Sequence, residues 1–203
     1  MIPQKKPTAI LISGRGSNMS ALVAAARAPA YPAEIVGVFS NRPDAPGLAL
    51  ARAAGLATEV RSHGDFASRD AFDAALDAVL NEWRAEIVCL AGFMRLLTPG
   101  FVEKWSGRMI NIHPSLLPAF KGLGTHARAL AEGAKIHGAT VHFVTPELDG
   151  GKIILQSQVK VLPGDTPATL AARVLAEEHR IYPLALAMLA RGRVTLEPPH
   201  HPN

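Results

Sequence analysis

Residues 9–27 have the sequence AILISGRGSNMSALVAAAR, in which a short apolar run leads through a glycine-rich turn into an alanine- and leucine-rich segment. This pattern predicts a strand at residues 9–13, a turn at residues 14–18 and a helix at residues 19–27. The alternation continues to residue 112. Further strands are predicted at residues 34–40, 57–61, 86–90 and 108–112, and further helices at residues 47–54 and after Ser68. Because strands that alternate with helices are joined by right-handed crossovers, we expect an α/β fold with a mostly parallel, twisted sheet and helices on both faces.

The pattern changes after residue 112. Residues 139–144 and 151–161 predict two longer strands separated by a short turn, which favours an antiparallel C-terminal extension of the sheet. A last helix is expected up to about residue 190, because Thr166 is a good N-cap and Pro167 suits the first helical position. The sequence contains no internal repeat and no linker, so residues 1–203 are expected to form a single domain.

The composition excludes several classes of protein. The chain has 203 residues, of which 48% are hydrophobic and 19% charged, and this balance excludes intrinsic disorder. The net charge of +4 comes without a run of like charges that could bind nucleic acid, although it favours small phosphorylated or carboxylated ligands. The single cysteine, Cys89, cannot form an intrachain disulfide, and no apolar stretch is long enough to span a membrane. We therefore expect a cytoplasmic protein with small-molecule ligands, no nucleic-acid or membrane partner, and a monomeric or homodimeric state.

The glycine-rich turn is a candidate phosphate site. A turn between a strand and a helix leaves backbone N–H groups free at the positive end of the helix dipole, which suits a phosphate. The turn lacks the Gly-Lys-Ser/Thr of a Walker A loop and the third glycine of the dinucleotide fingerprint. Two interpretations therefore remain open: Gly16, Ser17 and Asn18 bind a phosphate, or Ser17 or Asn18 simply caps the helix.

The run NIHPSLLP at residues 111–118 is the strongest candidate for catalysis. Asn111 and His113 are two residues apart on a predicted strand, so their side chains share a face, and Pro114 places both at its C-terminal end. Open α/β sheets bind ligands at that end of their strands. An amide and an imidazole together can stabilise an oxyanion and transfer a proton, but they could equally belong to a buried hydrogen-bond network.

Asp149 lies in the turn ELDGG, where glycine allows unusual backbone angles. A carboxylate at this position could approach His113 and keep its imidazole protonated, or it could merely form a turn. We interpret His137 and His142 as structural, because they lack the spacing of metal ligands, and Cys89 as part of the core.

Seven motifs together identify a resemblance that covers residues 8–195. They occur in the order ISGRGSN (12–18), FSN (39–41), LAGFMR (90–95), NIHPSLLP (111–118), HG (137–138), VHFV (141–144) and ELDGG (147–151). With these motifs the chain resembles the phosphoribosylglycinamide formyltransferases, the folate-dependent enzymes of purine synthesis. The segment FKGLGTH at residues 120–126 varies from other members of the family.

The resemblance implies a Rossmann-like formyltransferase fold with a nucleotide-binding half at about residues 8–112 and a folate and catalytic half at about residues 113–195. It implies direct transfer of a formyl group from the co-substrate 10-formyl-tetrahydrofolate to the amine of glycinamide ribonucleotide. Asn111 and His113 would stabilise the oxyanion, and Asp149 would keep His113 charged. No metal is required for this chemistry.

The resemblance also implies two sets of binding residues. The ribonucleotide would be held by Gly16, Ser17, Asn18, Leu175, Ala176, Glu177 and Glu178. The folate would be surrounded by Arg69, Met94, Arg95, Leu96, Leu97, Asn111, Thr145, Pro146, Glu147, Leu148 and Asp149. Within this second set, Arg69 and Arg95 could face the glutamate carboxylates of the folate, or they could be ordinary surface cations. A planar pterin would use the apolar side chains and the backbone of the 145–149 loop.

Three alternatives belong to other classes of protein. Methionyl-tRNA formyltransferases share the NIHPSLLP-type run, but they carry a further C-terminal domain, and only thirteen residues follow Ala190 here. Formyl-tetrahydrofolate deformylases carry an N-terminal regulatory domain, whereas the first strand here begins near Thr8. A non-catalytic folate- or nucleotide-binding module is the third alternative, and the joint presence of Asn111, His113 and Asp149 argues against it.

Overall fold

The computed structural model describes residues 4–196, so residues 1–3 and 197–203 of the predicted domain lie outside the described part of the chain. In chain order its elements are β1 (Lys6–Ile12), α1 (Ser17–Ala26), β2 (Ala33–Ser40), α2 (Gly47–Ala53), β3 (Thr58–Val60), a 3-10 turn (His63–Asp65), α3 (Arg69–Glu82), β4 (Ile87–Leu90), α4 (Pro99–Lys104), β5 (Met109–His113), α5 (Thr125–Ala131), β6 (Ile136–Phe143), β7 (Ile153–Lys160) and α6 (Pro167–Ala190).

The described strands form one seven-stranded sheet in the order β3-β2-β1-β4-β5-β6-β7. The five strands from β3 to β5 are parallel to their neighbours, whereas β6 pairs antiparallel with β5 and β7 pairs antiparallel with β6. This arrangement confirms the α/β fold and the antiparallel C-terminal extension expected from the sequence. The strand order reverses between β1 and β4, and a cleft at such a reversal is where open α/β sheets bind ligands.

Helices cover both faces of the sheet, as predicted. Along β1, Ile10 and Ile12 belong to a first core cluster with side chains from α1, α2 and α6, whereas Ala9 and Leu11 belong to a second cluster with side chains from α3 and α4. Alternate residues of a strand point to opposite faces, and this alternation is how one strand contributes to both clusters.

The same alternation positions the polar residues of β5. Ile110 and Ile112 pack in the first core cluster. Asn111 and His113 therefore point to the other face, the one that α3 and α4 cover elsewhere. Around Asn111 and His113 this face is covered by the loops at residues 114–124 and 145–149 and not by a helix.

The helix starts follow from capping residues. The side chain of Ser68 accepts a hydrogen bond from the N–H of Ala71 at the start of α3, and Thr166 forms a capping box with Thr169 at the start of α6. The N-cap role of Thr166 and a helix after Ser68 were both predicted. The short helix α4 was not predicted, although Thr98 caps it, because its six residues are too few to show a helical period. Among the described residues, no helix is long and apolar enough to cross a membrane.

Candidate active site

The C-terminal end of β5 brings a histidine and an amide together with a second strand. In the antiparallel pair of β5 and β6, Asn111 lies opposite His142 and His113 lies opposite Thr140. Residues that lie opposite each other in a sheet share a face, so these four side chains meet on the face that α3 and α4 leave open. His113 and His142 are both buried there.

Both ring nitrogens of His113 face a polar partner. Nδ1 lies 3.5 Å from Oδ2 of Asp149, and Nε2 lies 2.9 Å from the carbonyl oxygen of Phe120. A carbonyl oxygen only accepts hydrogen bonds, so Nε2 carries a hydrogen. In a neutral ring Nδ1 would then present a lone pair to the carboxylate, so a hydrogen bond to Asp149 needs a second hydrogen on the ring.

Asp149 is held by a strained turn. The sequence analysis assigned the unusual backbone angles of this turn to its glycines, but the left-handed conformation falls on Asp149 itself, with φ of 49°. Gly151 is required for a different reason, because a Cβ at this position would lie 1.8 Å from the carbonyl oxygen of Phe143. The carboxylate also accepts a hydrogen bond from the N–H of Gly122 at 2.8 Å.

His142 belongs to the site, which the sequence analysis did not predict. It is buried, as its structural interpretation requires, but its Nε2 lies 3.3 Å from Nδ2 of Asn111 and 3.7 Å from Oδ1 of Asp149. Burial lowers its pKa, and its hydrogen bond to the carbonyl oxygen of Phe143 and the charge of Asp149 oppose this effect only in part. No spacing along β6 could have shown these contacts, because they depend on the register between β5 and β6.

The glycine-rich turn has the geometry of an anion site. Gly16 adopts a left-handed conformation with φ of 74°, and a Cβ there would lie 2.9 Å from the Cα of Gly47. Gly16 is the N-cap of α1, and no side chain caps this helix. The alternative in which Ser17 or Asn18 caps the helix is therefore wrong, and the first N–H groups of α1 lack a capping side chain.

Asn18 turns its side chain toward α6 instead. Its Nδ2 donates to Oε2 of Glu178 at 2.6 Å, while its Oδ1 is buried without a hydrogen-bond partner among the described residues. Burial raises the pKa of Glu178, and the bond from Asn18 and the charge of His113 partly oppose this effect. The glycine-rich turn thus contacts Glu178 of α6, and the charge of His113 acts on the same carboxylate.

The other predicted ribonucleotide residues of α6 differ in their surroundings. Leu175 is half-buried and Ala176 is exposed. The carboxylate of Glu177 accepts hydrogen bonds from Ser157 at 2.5 Å and from Arg180 at 2.6 Å. These bonds lower the pKa of Glu177 and tie it to β7, away from the partner of Asn18.

The predicted folate residues after β4 form an exposed apolar surface. Met94 and Leu96 are 69% and 62% exposed, which is unusual for large apolar side chains, and Leu97 packs partly against the second core cluster. Arg69 donates to the carbonyl oxygen of Leu96 at 2.9 Å, and the guanidinium of Arg95 stacks 4.2 Å from the ring centre of Phe72. Both arginines are therefore engaged with the protein itself in this conformation.

The 145–149 loop lies across from the 114–124 loop. Thr145 is half-buried, whereas Pro146, Glu147 and Leu148 are exposed. Glu147 accepts a hydrogen bond from Nζ of Lys121 at 2.7 Å, which lowers the pKa of its carboxyl group. Together with the hydrogen bonds of Gly122 and Phe120 described above, this ion pair connects the variable segment at residues 120–126 to Asp149, Glu147 and His113.

Two further histidines lie behind this segment. The rings of His126 and His137 are 5.2 Å apart and meet edge to face, and Phe120 packs against His137 in the same manner. Burial and the charge of His126 lower the pKa of His137 to about 4, so its ring is neutral near pH 7. Within residues 4–196, no three potential ligands are grouped so that they could hold a metal ion.

Comparison with known proteins places this geometry in context. A family model described as formyl transferase matches residues 6–186. The chain is 47% identical over 187 residues to phosphoribosylglycinamide formyltransferase of Escherichia coli, which covers 92% of this chain and 88% of that protein. The crystal structure of phosphoribosylglycinamide formyltransferase from Brucella melitensis superposes with a TM-score of 0.89 at 54% identity, covering 96% of this chain and 100% of the other.

A third relative is much longer than this chain. The trifunctional purine biosynthetic protein adenosine-3 of Bos taurus is 50% identical over 194 residues, and the chain spans 19% of the length of that protein.

Proposed function

The chain belongs to the formyl transferase family, and we propose that it transfers the formyl group of 10-formyl-tetrahydrofolate to the amine of glycinamide ribonucleotide. The products are formylglycinamide ribonucleotide and tetrahydrofolate, a step of purine (IMP) synthesis. The resemblance stated from the sequence is confirmed by the family model and by relatives that match the chain over nearly its whole length. We also propose that glycinamide ribonucleotide accepts the formyl group, that 10-formyl-tetrahydrofolate donates it, and that the protein is cytoplasmic.

One observation carries the proposal. The strand that bears Asn111 ends at His113, and the imidazole of His113 lies in ion-pair contact with Asp149. An amide N–H and a protonated imidazole at one strand end supply the two groups that formyl transfer needs, an oxyanion donor and an acid.

The chemistry follows the charge that develops on the formyl group. The neutral amine attacks the formyl carbon, and a tetrahedral intermediate with a negative oxygen forms. An N–H of Asn111 and the imidazolium of His113 stabilise that oxygen. His113 gives a proton to the folate nitrogen as the bond between that nitrogen and the formyl carbon breaks, and the proton that the attacking amine loses returns to His113. Asp149 stabilises the imidazolium throughout, because it offers a negative charge and no proton donor.

A substrate can reach His113 only if the segment at residues 120–126 moves. Nε2 donates to Phe120 and Nδ1 faces Asp149, so neither nitrogen is free for a substrate atom in this conformation. We propose that the substrates displace the carbonyl oxygen of Phe120 and leave the contact with Asp149 in place. Phe120 has φ of 55°, a conformation that a phenylalanine rarely adopts, so its release also relieves backbone strain.

The ribonucleotide is proposed to lie between α1 and α6. Its phosphate would be held by the N–H groups that begin α1, in the turn of Gly16, Ser17 and Asn18. Glu178 contacts Asn18 of that turn and its carboxyl group also responds to the charge of His113, which suits contact with the ribose or with the glycinamide chain. The half of the chain at about residues 8–112 therefore supplies the phosphate site, and α6 supplies the groups between it and the reacting amine.

The folate is proposed to lie on the other side of His113. The exposed side chains of Met94, Leu96 and Leu148 offer an apolar surface for a planar ring, and the backbone of the 145–149 loop offers hydrogen bonds. Arg69 and Arg95 could reach the glutamate carboxylates only if they left their present partners.

The fate of a labelled formyl carbon tests the proposal. The protein is incubated with glycinamide ribonucleotide and with 10-formyl-tetrahydrofolate that carries carbon-13 in its formyl group. We expect the label to appear in the formamide of the ribonucleotide product. Label recovered only as formate would indicate a deformylase, and label that stays in the folate would indicate a binding module.

A further inference from the structure

His142 of β6 lies opposite Asn111 of the neighbouring strand β5. The register of β5 and β6 sets the two residues opposite each other, and Nε2 of His142 lies 3.3 Å from Nδ2 of Asn111. Only 3% of His142 is exposed. Asn111 is the neighbour of Nε2 within hydrogen-bond distance, and a buried ring constrains such a neighbour strongly because an unmade hydrogen bond is costly in a buried site.

The backbone fixes the tautomer of His142. Nδ1 lies 2.8 Å from the carbonyl oxygen of Phe143, and this oxygen can only accept, so Nδ1 carries the hydrogen. Burial lowers the pKa of the ring and keeps it neutral. Nε2 then has a lone pair and acts as an acceptor.

An acceptor at Nε2 determines which way the amide of Asn111 points. With Nδ2 toward His142, one N–H of the amide is bound to the ring and the second remains for another acceptor. A flipped amide would place Oδ1 against the lone pair, and the nearby carboxylate oxygen of Asp149, 3.7 Å from Nε2, would repel it as well. Both neighbours thus favour the same orientation.

We infer that His142 is a positioning residue for formyl transfer: its Nε2 holds the Asn111 amide so that the second N–H of Nδ2 is presented to the oxygen that becomes negative. This inference rests on the proposed function, because it assigns Asn111 its role in that reaction. His142 itself acts only through Asn111 and need not touch a substrate.

Kinetics of two variants test this role. His142→Phe keeps a ring but removes the acceptor. We expect kcat to fall about ten- to hundredfold, less than on removal of an oxyanion donor itself, with both KM values nearly unchanged. His142→Gln offers an amide oxygen near the position of Nε2, and we expect it to retain most of kcat. Because either variant could unfold, circular dichroism and thermal melting accompany the kinetics.

A double-mutant cycle separates positioning from a structural role. In an Asn111→Ala background, His142→Phe should change kcat by less than about twofold, because the group that His142 orients is already absent. Equal losses in the two backgrounds would overturn the inference.

The tautomer gives a second measurement that does not depend on activity. In nitrogen-15 NMR spectra of the free protein near neutral pH, we expect the His142 ring to be protonated at Nδ1 and unprotonated at Nε2. A hydrogen on Nε2 would overturn the inference even if formyl transfer is observed. If transfer is absent but the tautomer and the Asn111 contact are found, the proposed function fails and the orientation of the amide still stands.

Discussion

At the scale of single residues, both ring nitrogens of His113 and of His142 have polar neighbours. Nε2 of His113 donates to a backbone carbonyl, Nδ1 of His142 does the same, and the remaining nitrogen of each ring faces Asp149 or Asn111. The second nitrogen of His113 lies 3.5 Å from a carboxylate oxygen of Asp149, whereas that of His142 lies 3.3 Å from the amide nitrogen of Asn111 and 3.7 Å from the other oxygen of Asp149. Burial lowers the pKa of His142.

Asp149→Asn tests the charge of this pair while keeping its shape. The amide oxygen can still accept from the N–H of Gly122, so the turn should persist. Without the negative charge the ring of His113 loses its ion-pair partner, and we expect activity to fall sharply across the pH–rate profile. A profile identical to that of the wild type would reduce Asp149 to a turn residue.

Asn18→Ala tests the junction between the glycine-rich turn and α6. It removes the only hydrogen bond described for the buried carboxylate of Glu178, and it leaves the N–H groups of α1 in place. We expect KM for glycinamide ribonucleotide to rise by a factor that corresponds to about 1.5–3 kcal/mol, with KM for the folate nearly unchanged. Ser17→Ala is the matched control and should have a smaller effect. A change in KM for the folate alone would refute the proposal that the ribonucleotide binds at α1 and the folate at the 145–149 loop.

At the scale of elements, α6 connects the two halves of the site. It carries Glu178 on one turn, and on the next turn the hydroxyl of Tyr182 lies 2.9 Å from the carbonyl oxygen of Leu90 and 3.1 Å from that of Ile110. These carbonyls belong to β4 and β5, the strands that precede the folate loop and carry Asn111. One buried phenol thus holds the helix against both strands, and burial raises its pKa well above the usual value.

Tyr182→Phe should therefore destabilise the fold. It leaves buried carbonyl oxygens with fewer partners, and we expect the free energy of unfolding in urea to fall by about 1–3 kcal/mol. Tyr31→Phe is a matched control, because Tyr31 also donates to the backbone but contacts one carbonyl, that of Pro183, and is only half-buried. An equal decrease in the free energy of unfolding in the two variants would mean that the hydrogen bonds to β4 and β5 stabilise the fold no more than the bond of Tyr31 does.

Elements also show what the sequence could predict. The strands and the polar end of β5 followed from local periodicity, because alternation and a terminating proline are properties of a single segment. His142 could not be predicted in the same way, since its partner Asn111 is set by the register between β5 and β6. The left-handed angle at Asp149 was placed on the wrong residues, because a glycine pair signals a tight turn without saying which residue bears the strain.

At the scale of the whole molecule, buried neutral histidines make the fold sensitive to acid. Burial lowers the pKa of four of the described histidines, and that of His137 falls from 6.5 to about 4. The four are His126, His137, His142 and His179. Since the unfolded chain binds these protons at higher pH than the folded protein does, stability is present above about pH 6.5 and is lost as the pH falls toward 4. The raised pKa of Glu178 acts in the opposite direction, because its folded form prefers the proton.

His137→Phe should weaken this dependence. The shift at His137 corresponds to a loss on the order of 3 kcal/mol over its full range. We expect the free energy of unfolding to fall less in the variant than in the wild type between about pH 7 and about pH 5, measured by urea titration. If both proteins lost the same stability, acid sensitivity would have to come from other groups.

If the groups around His113 catalyse formyl transfer to glycinamide ribonucleotide, the rate of tetrahydrofolate release depends on both the ribonucleotide and His113. The rate is measured with and without the ribonucleotide, for the wild type and for folded His113→Ala. We predict release that depends on the ribonucleotide and that falls by about a hundredfold or more in the variant, as for loss of an oxyanion-stabilising group worth about 2.7–4 kcal/mol. Release that is independent of the ribonucleotide, or that is unchanged in His113→Ala, would contradict the account.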